Sequence, residues 1–186
     1  MATRCRPFVR SILIVAIAVA AGSCSTRQST YFPIELQIRS SDVPDPLIFQ
    51  SDHYLVGEGR VTWTGSYGFG GDDLVAVKHE LTLFENDTAA QEAYSEEVDK
   101  LFPTASWLPE HDFAFSPVDR NDQSRFACLP ASPRPGGLRS CALIQQHGEF
   151  ISIVRANIDG SRLTFQDVER AIVGIDSRLT QWEDKN

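Results

Sequence analysis

The chain of 186 residues has no excess of basic side chains: 17 Lys and Arg stand against 25 Asp and Glu, a net charge of -8. A nucleic-acid binder carries the opposite balance, because its footprint on phosphate is a basic patch. No apolar run reaches the ~18–20 residues that a spanning helix needs. Ten Pro and twelve Gly are too few for a low-complexity chain. The four cysteines are also few, and their positions say more than their number. What remains is the composition of one folded domain, with 42% hydrophobic residues.

Motifs for chemistry are missing as well. His79-Glu80 begins a zincin pattern, but Leu83 stands where the second histidine belongs. Glu110-His111-Asp112 is the densest set of ligand types, yet three adjacent loop residues point in different directions. His53 and His147 stand alone and read as surface or turn histidines. There is no G-x-S-x-G elbow, no lysine-terminated glycine loop at Gly65–Gly71 and no C-x-x-C-H. A carboxylate pair assembled by the fold stays open, since no pattern selects two of 25 acids. No catalytic residue, metal site or cofactor is assigned.

The N-terminus carries the clearest signal. Arg4, Arg6 and Arg10 precede the apolar run Ile12–Ala21, and Gly22-Ser23 lead to Cys24. This is the charged, apolar and small-residue order of an export signal. Ala21-Gly22-Ser23-Cys24 resembles the lipobox of bacterial lipoprotein precursors, with Ala21 where the commonest pattern has Leu. The resemblance covers the leader only, and secretion without lipid or an uncleaved anchor are its alternatives. It implies that residues 1–23 are removed, that Cys24 is acylated, and that the chain faces the extracytoplasmic side of a membrane, inner or outer. Residues 24–33 then form a lipidated tether and 34–186 one domain. Removal of the three leader arginines from 17 basic residues leaves 14 against 25 acidic ones, a charge of -11 over 163 residues. Anionic headgroups would not attract such a chain, so the lipid is the expected anchor.

The domain reads as α+β. Ile34, Leu36 and Ile38 alternate with polar residues as a strand would. Leu47–Phe49 and Tyr54–Thr64 follow, then Gly65–Gly71 as a turn, then Val75, Val77, His79, Leu81 and Leu83 on one face of a cleaner strand. A helix is expected from Asp87-Thr88 to Phe102, opened by a Thr88–Gln91 capping box and stopped by Pro103. A second begins near Thr164, with Phe165, Val168, Ile172, Ile175, Leu179 and Trp182 on one stripe. Phe113–Val118, Arg125–Leu129, Cys141–Gln146 and Phe150–Ile158 have strand character, the last two joined at His147-Gly148. The order β-β-β then β-α-β-β-β-α describes a two-layer domain, a mainly antiparallel sheet with both helices on one face.

Two features suit recognition. Glu92, Glu96 and Asp99 share the outer face of the first helix. The Pro-rich 129–140 loop carries Arg134 and Arg139 away from an acidic body, and a rigid loop loses less freedom on binding. The reading is a non-catalytic, lipid-anchored envelope protein that binds or supports a protein partner, with an accessory subunit of a membrane-embedded complex, respiratory or transport, as the rival and a small hydrolase behind both. No nucleic acid is expected.

Cys128 and Cys141, in an exported chain, read as a disulfide at the base of that loop. Closing it is worth roughly 3 kcal/mol in the chain-entropy treatment. A non-reducing mass measurement on the mature protein should therefore find no free thiol; two alkylatable thiols would contradict the pairing.

Overall fold

The computed structural model describes residues 33–70, 75–109, 123–131 and 137–185. Seven strands form one sheet: β1 Leu47–Gly57, β2 Arg60–Phe69, β3 Val75–Phe84, β4 Leu108–Pro109, β5 Ser124–Cys128, β6 Arg139–His147 and β7 Phe150–Ile158. Their order is β1-β2-β3-β7-β6-β5-β4, with every pair antiparallel. Helices α1 Asp87–Leu101 and α2 Phe165–Glu183 pack on the sheet. This is the α+β class that the alternation and the two amphipathic stripes implied. The leader, Cys24 and Phe113–Val118 lie outside the described residues.

The helices do not share a face. Ile151 and Ile153 of β7 pack with Ala90, Tyr94 and Leu101 of α1, whereas Phe150, Val154 and Ala156 pack with Val168, Ile172 and Ile175 of α2. Successive residues of a strand point to opposite sides, so α1 and α2 cover opposite faces and the layers number three. The cause lies in β6 and β7, where Ala142, Leu143 and Ile144, and Ile151, Ile153 and Val154, are buried on both sides. A strand that is apolar on both faces needs a cover on each.

Three local expectations also give way. Ile34–Arg39 is not a strand. Ile34–Leu36 and Ser40–Asp42 form single 3-10 turns, and Leu36 and Ile38 are buried while Ile34 is exposed. The segment lies against the α2 face of the sheet, and its backbone groups bond within its own turns or, at Gln37, Ile38 and Arg39, to side chains, not to a neighbouring strand. Gly65 is no turn either, because β2 continues to Phe69. A Cβ at Gly65 would collide with the Trp63 indole, so glycine there lets the ring lie flat along its own strand. Of the Gly65–Gly71 stretch Gly70 is in the turn after β2, and an unexpected turn, Glu58-Gly59, both at positive φ, splits the Tyr54–Thr64 stretch between β1 and β2 as a tight hairpin. Finally, α1 is capped by Asn86, whose Oδ1 accepts from the Ala89 N–H at 2.9 Å, and not by Thr88 with Gln91.

Other expectations hold. α2 opens on Thr164, whose hydroxyl accepts from Asp167 N–H while the Asp167 carboxylate accepts from Thr164 N–H, a closed capping box. Cys128 and Cys141 are bonded and stand directly opposite each other on β5 and β6, tying the loop at its base.

The N-terminal segment is fastened by charge. Arg178 of α2 donates to both carboxylate oxygens of Asp42, at 2.6 and 3.2 Å, and to the Gln37 carbonyl at 3.0 Å. The bidentate fork is the stronger form of this contact. Both side chains are largely buried, 14% and 10% exposed, so removing one partner strands the other's charge away from water. Asp42→Ala should lower the unfolding free energy by about 3 kcal/mol in urea titrations; a loss within about 0.5 kcal/mol would show that the clamp is not needed.

Candidate functional site

The face of the sheet under α2 holds a row of buried polar side chains inside an apolar core. His79 on β3, Ser152 on β7, and Gln145 and His147 on β6 are each 0–1% exposed. His79 faces inward between Val77 and Leu81 because strand alternation places it there, and Trp63 packs edge-on against its ring at 5.5 Å. Its Nδ1 accepts from the Ile38 backbone N–H at 3.1 Å, and its Nε2 lies 3.1 Å from the Ser152 hydroxyl. Since Nδ1 is the acceptor, the ring proton sits on Nε2 and is donated to Ser152. Burial, aided by the positive Arg178 nearby, drives the His79 pKa down to about 3.

That tautomer decides the chemistry. A histidine that activates serine must offer an unprotonated nitrogen to the hydroxyl. His79 offers the hydrogen instead, and neither group is reached by solvent. The pair therefore holds structure together and does not transfer protons.

His147 is not the turn residue its sequence neighbours suggested. It pairs with Phe150 as the last rung before a Gly148-Glu149 turn, and its Nε2 is 3.1 Å from Oδ1 of Asp176 on α2. Gln145 stands opposite Ser152, and neither end of its amide has a protein hydrogen-bond partner among the described residues. His53, in contrast, is on the surface as expected.

The sequence-derived recognition residues are dispersed. Glu92, Glu96 and Asp99 are all exposed on α1. Lys100 Nζ lies 2.9 Å from Glu96 and 3.1 Å from Glu97, and its hydrogen bond holds the Glu96 carboxyl below the usual range. Arg139 donates from Nε to the Leu129 carbonyl at 3.3 Å, and its guanidinium lies 5.4 Å from the Phe165 ring. It thus pins the loop base to α2. Arg134 and Glu110-His111-Asp112 are outside the described residues. No cluster of three or more His, Cys, Asp or Glu among the described residues is placed to hold a metal.

Hollows on the surface are shallow. One of about 510 Å³ is lined by Arg139, Asp159, Gly160 and Phe165. Another of about 360 Å³, beyond the end of α1, is lined by Lys78, Lys100, Trp107 and Arg155. Lys78 and Arg155 face each other across β3 and β7 and share Glu80, at 3.5 and 3.3 Å, which neutralises part of that charge.

The larger anomaly is the edge. Of the eleven residues of β1 only Leu47 is buried, and Ile48, Phe49, Tyr54, Leu55 and Val56 are exposed. The apolar residues form two patches, Ile48-Phe49 and Tyr54-Leu55-Val56, separated by the polar Gln50–His53, on a strand that is the edge of the sheet among the described residues, and edge strands are where proteins take up further strands. No family model, curated protein or solved structure matches this chain.

The buried row makes stability depend on pH. An unfolded histidine titrates near the ordinary value of 6.5, whereas folded His79 does so at about 3. Between those values the unfolded chain binds a proton that the folded chain refuses, so stability present above 6.5 is lost as pH falls towards 3. His79→Gln removes this linkage. The stability advantage of the parent over His79→Gln should shrink by about 2 kcal/mol between roughly pH 6.5 and 4.5; an advantage independent of pH would show that the ring is not held neutral.

Proposed function

We propose that the chain is exported, cleaved before Cys24 and held by acyl chains on that cysteine, and that its domain acts outside the membrane by binding, not by catalysis. The leader residues support the first half. The observation that carries the second is β1, an eleven-residue edge with one buried side chain. Such an edge can take up a strand from another protein, with main-chain hydrogen bonds supplying affinity and the flanking Ile48 and Phe49 supplying apolar contact. The His79–Ser152 geometry counts against hydrolysis by that pair. The same edge also favours the rival reading, an accessory subunit of a membrane-embedded complex, if the added strand belongs to a permanent neighbour.

Fractionation and native electrophoresis test both halves. Cys24→Ser should move the protein from the membrane to the soluble fraction. After mild-detergent extraction the parent should migrate with a partner, and Ile48→Lys should release it while leaving the protein in the membrane. A chain without lipid on Cys24 contradicts the anchor, and one that migrates alone as a ~20 kDa species in its native membranes contradicts the edge.

A further inference from the structure

We infer that β1 pairs antiparallel with β1 of a second copy of this chain, about a two-fold axis at Asp52, so that two sheets join edge to edge into one. This rests on the reading of β1 as an edge that accepts a strand, and it names the strand.

The edge is open to pairing along its length. Among the described residues β1 ends the strand order, and it carries no Lys, Arg or Pro, the residues that commonly guard an edge. The β1–β2 turn has two residues, which makes Gly57 and Arg60 the closing hydrogen-bonded pair. Backbone direction alternates from there, so Asp52 and Val56 turn their N–H and C=O groups away from β2.

One irregularity decides which side chains share a face. Phe49 stands opposite Tyr67 and Ser51 opposite Ser66, which leaves Gln50 as an extra residue in β1. Phe49 therefore lies on the same face as Asp52, Tyr54 and Val56, and its ring meets Tyr67 edge-on at 5.6 Å. Ile48 and Leu55 lie together on the other face.

Symmetry then limits the register. A two-fold axis normal to a continuous sheet keeps each face on its own side, so opposed residues must share a face and the axis must pass through a residue, not between two. Centred on Asp52, the pairing sets Tyr54 of one copy opposite Phe49 of the other, Leu55 opposite Ile48, and Val56 opposite Leu47. These are three apolar pairs, each made twice, with the two patches exchanged between the copies. An axis through Ser51, His53 or Tyr54 matches no more than one such pair, made twice.

The same axis brings two carboxylates together. Attractive and repulsive cross-strand pairs are of similar individual strength, so the repeated apolar pairs outweigh the single Asp52–Asp52 contact. Each Asp52 carboxylate also lies 3.5 Å from Nε1 of its own Trp63, on the β2 side and away from the axis.

The experiment oxidises engineered cysteines in membranes that hold the full chain, with the parent as background. Opposed strand residues are within disulfide reach. Asp52→Cys should give a linked dimer, Leu55→Cys alone should not, and Ile48→Cys combined with Leu55→Cys should. Asp52→Asn removes the like-charge contact, so it should lower the dissociation constant of the detergent-extracted dimer several-fold, read by light scattering over a range of concentrations. Failure of Asp52→Cys to link, or a dimer that Asp52→Asn weakens, overturns the inference. If the parent meanwhile migrates with a different protein that Ile48→Lys releases, the strand-accepting edge stands and only the second copy is lost. A parent that migrates alone overturns both.

Discussion

The imidazole of His79 ties β3 to β7 and to the N-terminal segment. It sits at 0% exposure on a central strand, takes the N–H of Ile38 on one nitrogen and gives its proton to Ser152 on the other. Both bonds satisfy polar groups that would otherwise be buried alone, at a cost of about 1–3 kcal/mol each. Through Ile38 the ring sets where the N-terminal segment crosses the sheet. Through Ser152 it crosses from β3 to β7, the pair at the centre of the strand order. Arg178 and Asp42 fasten the same segment from the helix side, and the positive charge of Arg178 adds to the pressure that keeps the ring neutral.

That constraint bears on function in two ways. It turns the only buried serine–histidine contact among the described residues into a structural one, since the proton is on the wrong nitrogen for a base. It also fixes the N-terminal segment across the α2 face of the sheet, with Ile38 bonded to both His79 and Tyr67. The order is thus physical: a neutral buried histidine places the segment, and Arg178 with Asp42 holds it against α2.

Much of the fold was legible. The spacing of Val168, Ile172, Ile175 and Leu179 marks α2 because one apolar stripe faces one core, and Cys128 and Cys141, which flank a Pro-rich loop, meet as directly opposed residues of β5 and β6. Three-layer packing was legible only in part: the run Phe150-Ile151-Ser152-Ile153-Val154 is nearly continuous in apolar character, which signals burial on both faces. Ile34–Arg39 misled because alternation reports which side chains are buried, not which backbone groups pair, and those of Ile38 pair with His79 and Tyr67. The buried row left a faint trace, a polar residue at the inward positions of His79 and Ser152. Asp42 and Arg178, 136 residues apart, left none, since only the fold brings them together. Glu92, Glu96 and Asp99 were legible as a face but not as a site, and their pattern does not reveal that Lys100 answers Glu96.

The central claim is that His79 is a neutral structural pin, fixed with its proton on Nε2. Long-range ¹⁵N–¹H correlation spectra of the imidazole, followed from neutral pH to about pH 4.5, test it directly. The account predicts a protonated Nε2 and an unprotonated Nδ1 that do not titrate over that range. A proton on Nδ1, or a ring that titrates near its ordinary value of 6.5, would contradict it and reopen a catalytic role for the His79–Ser152 pair.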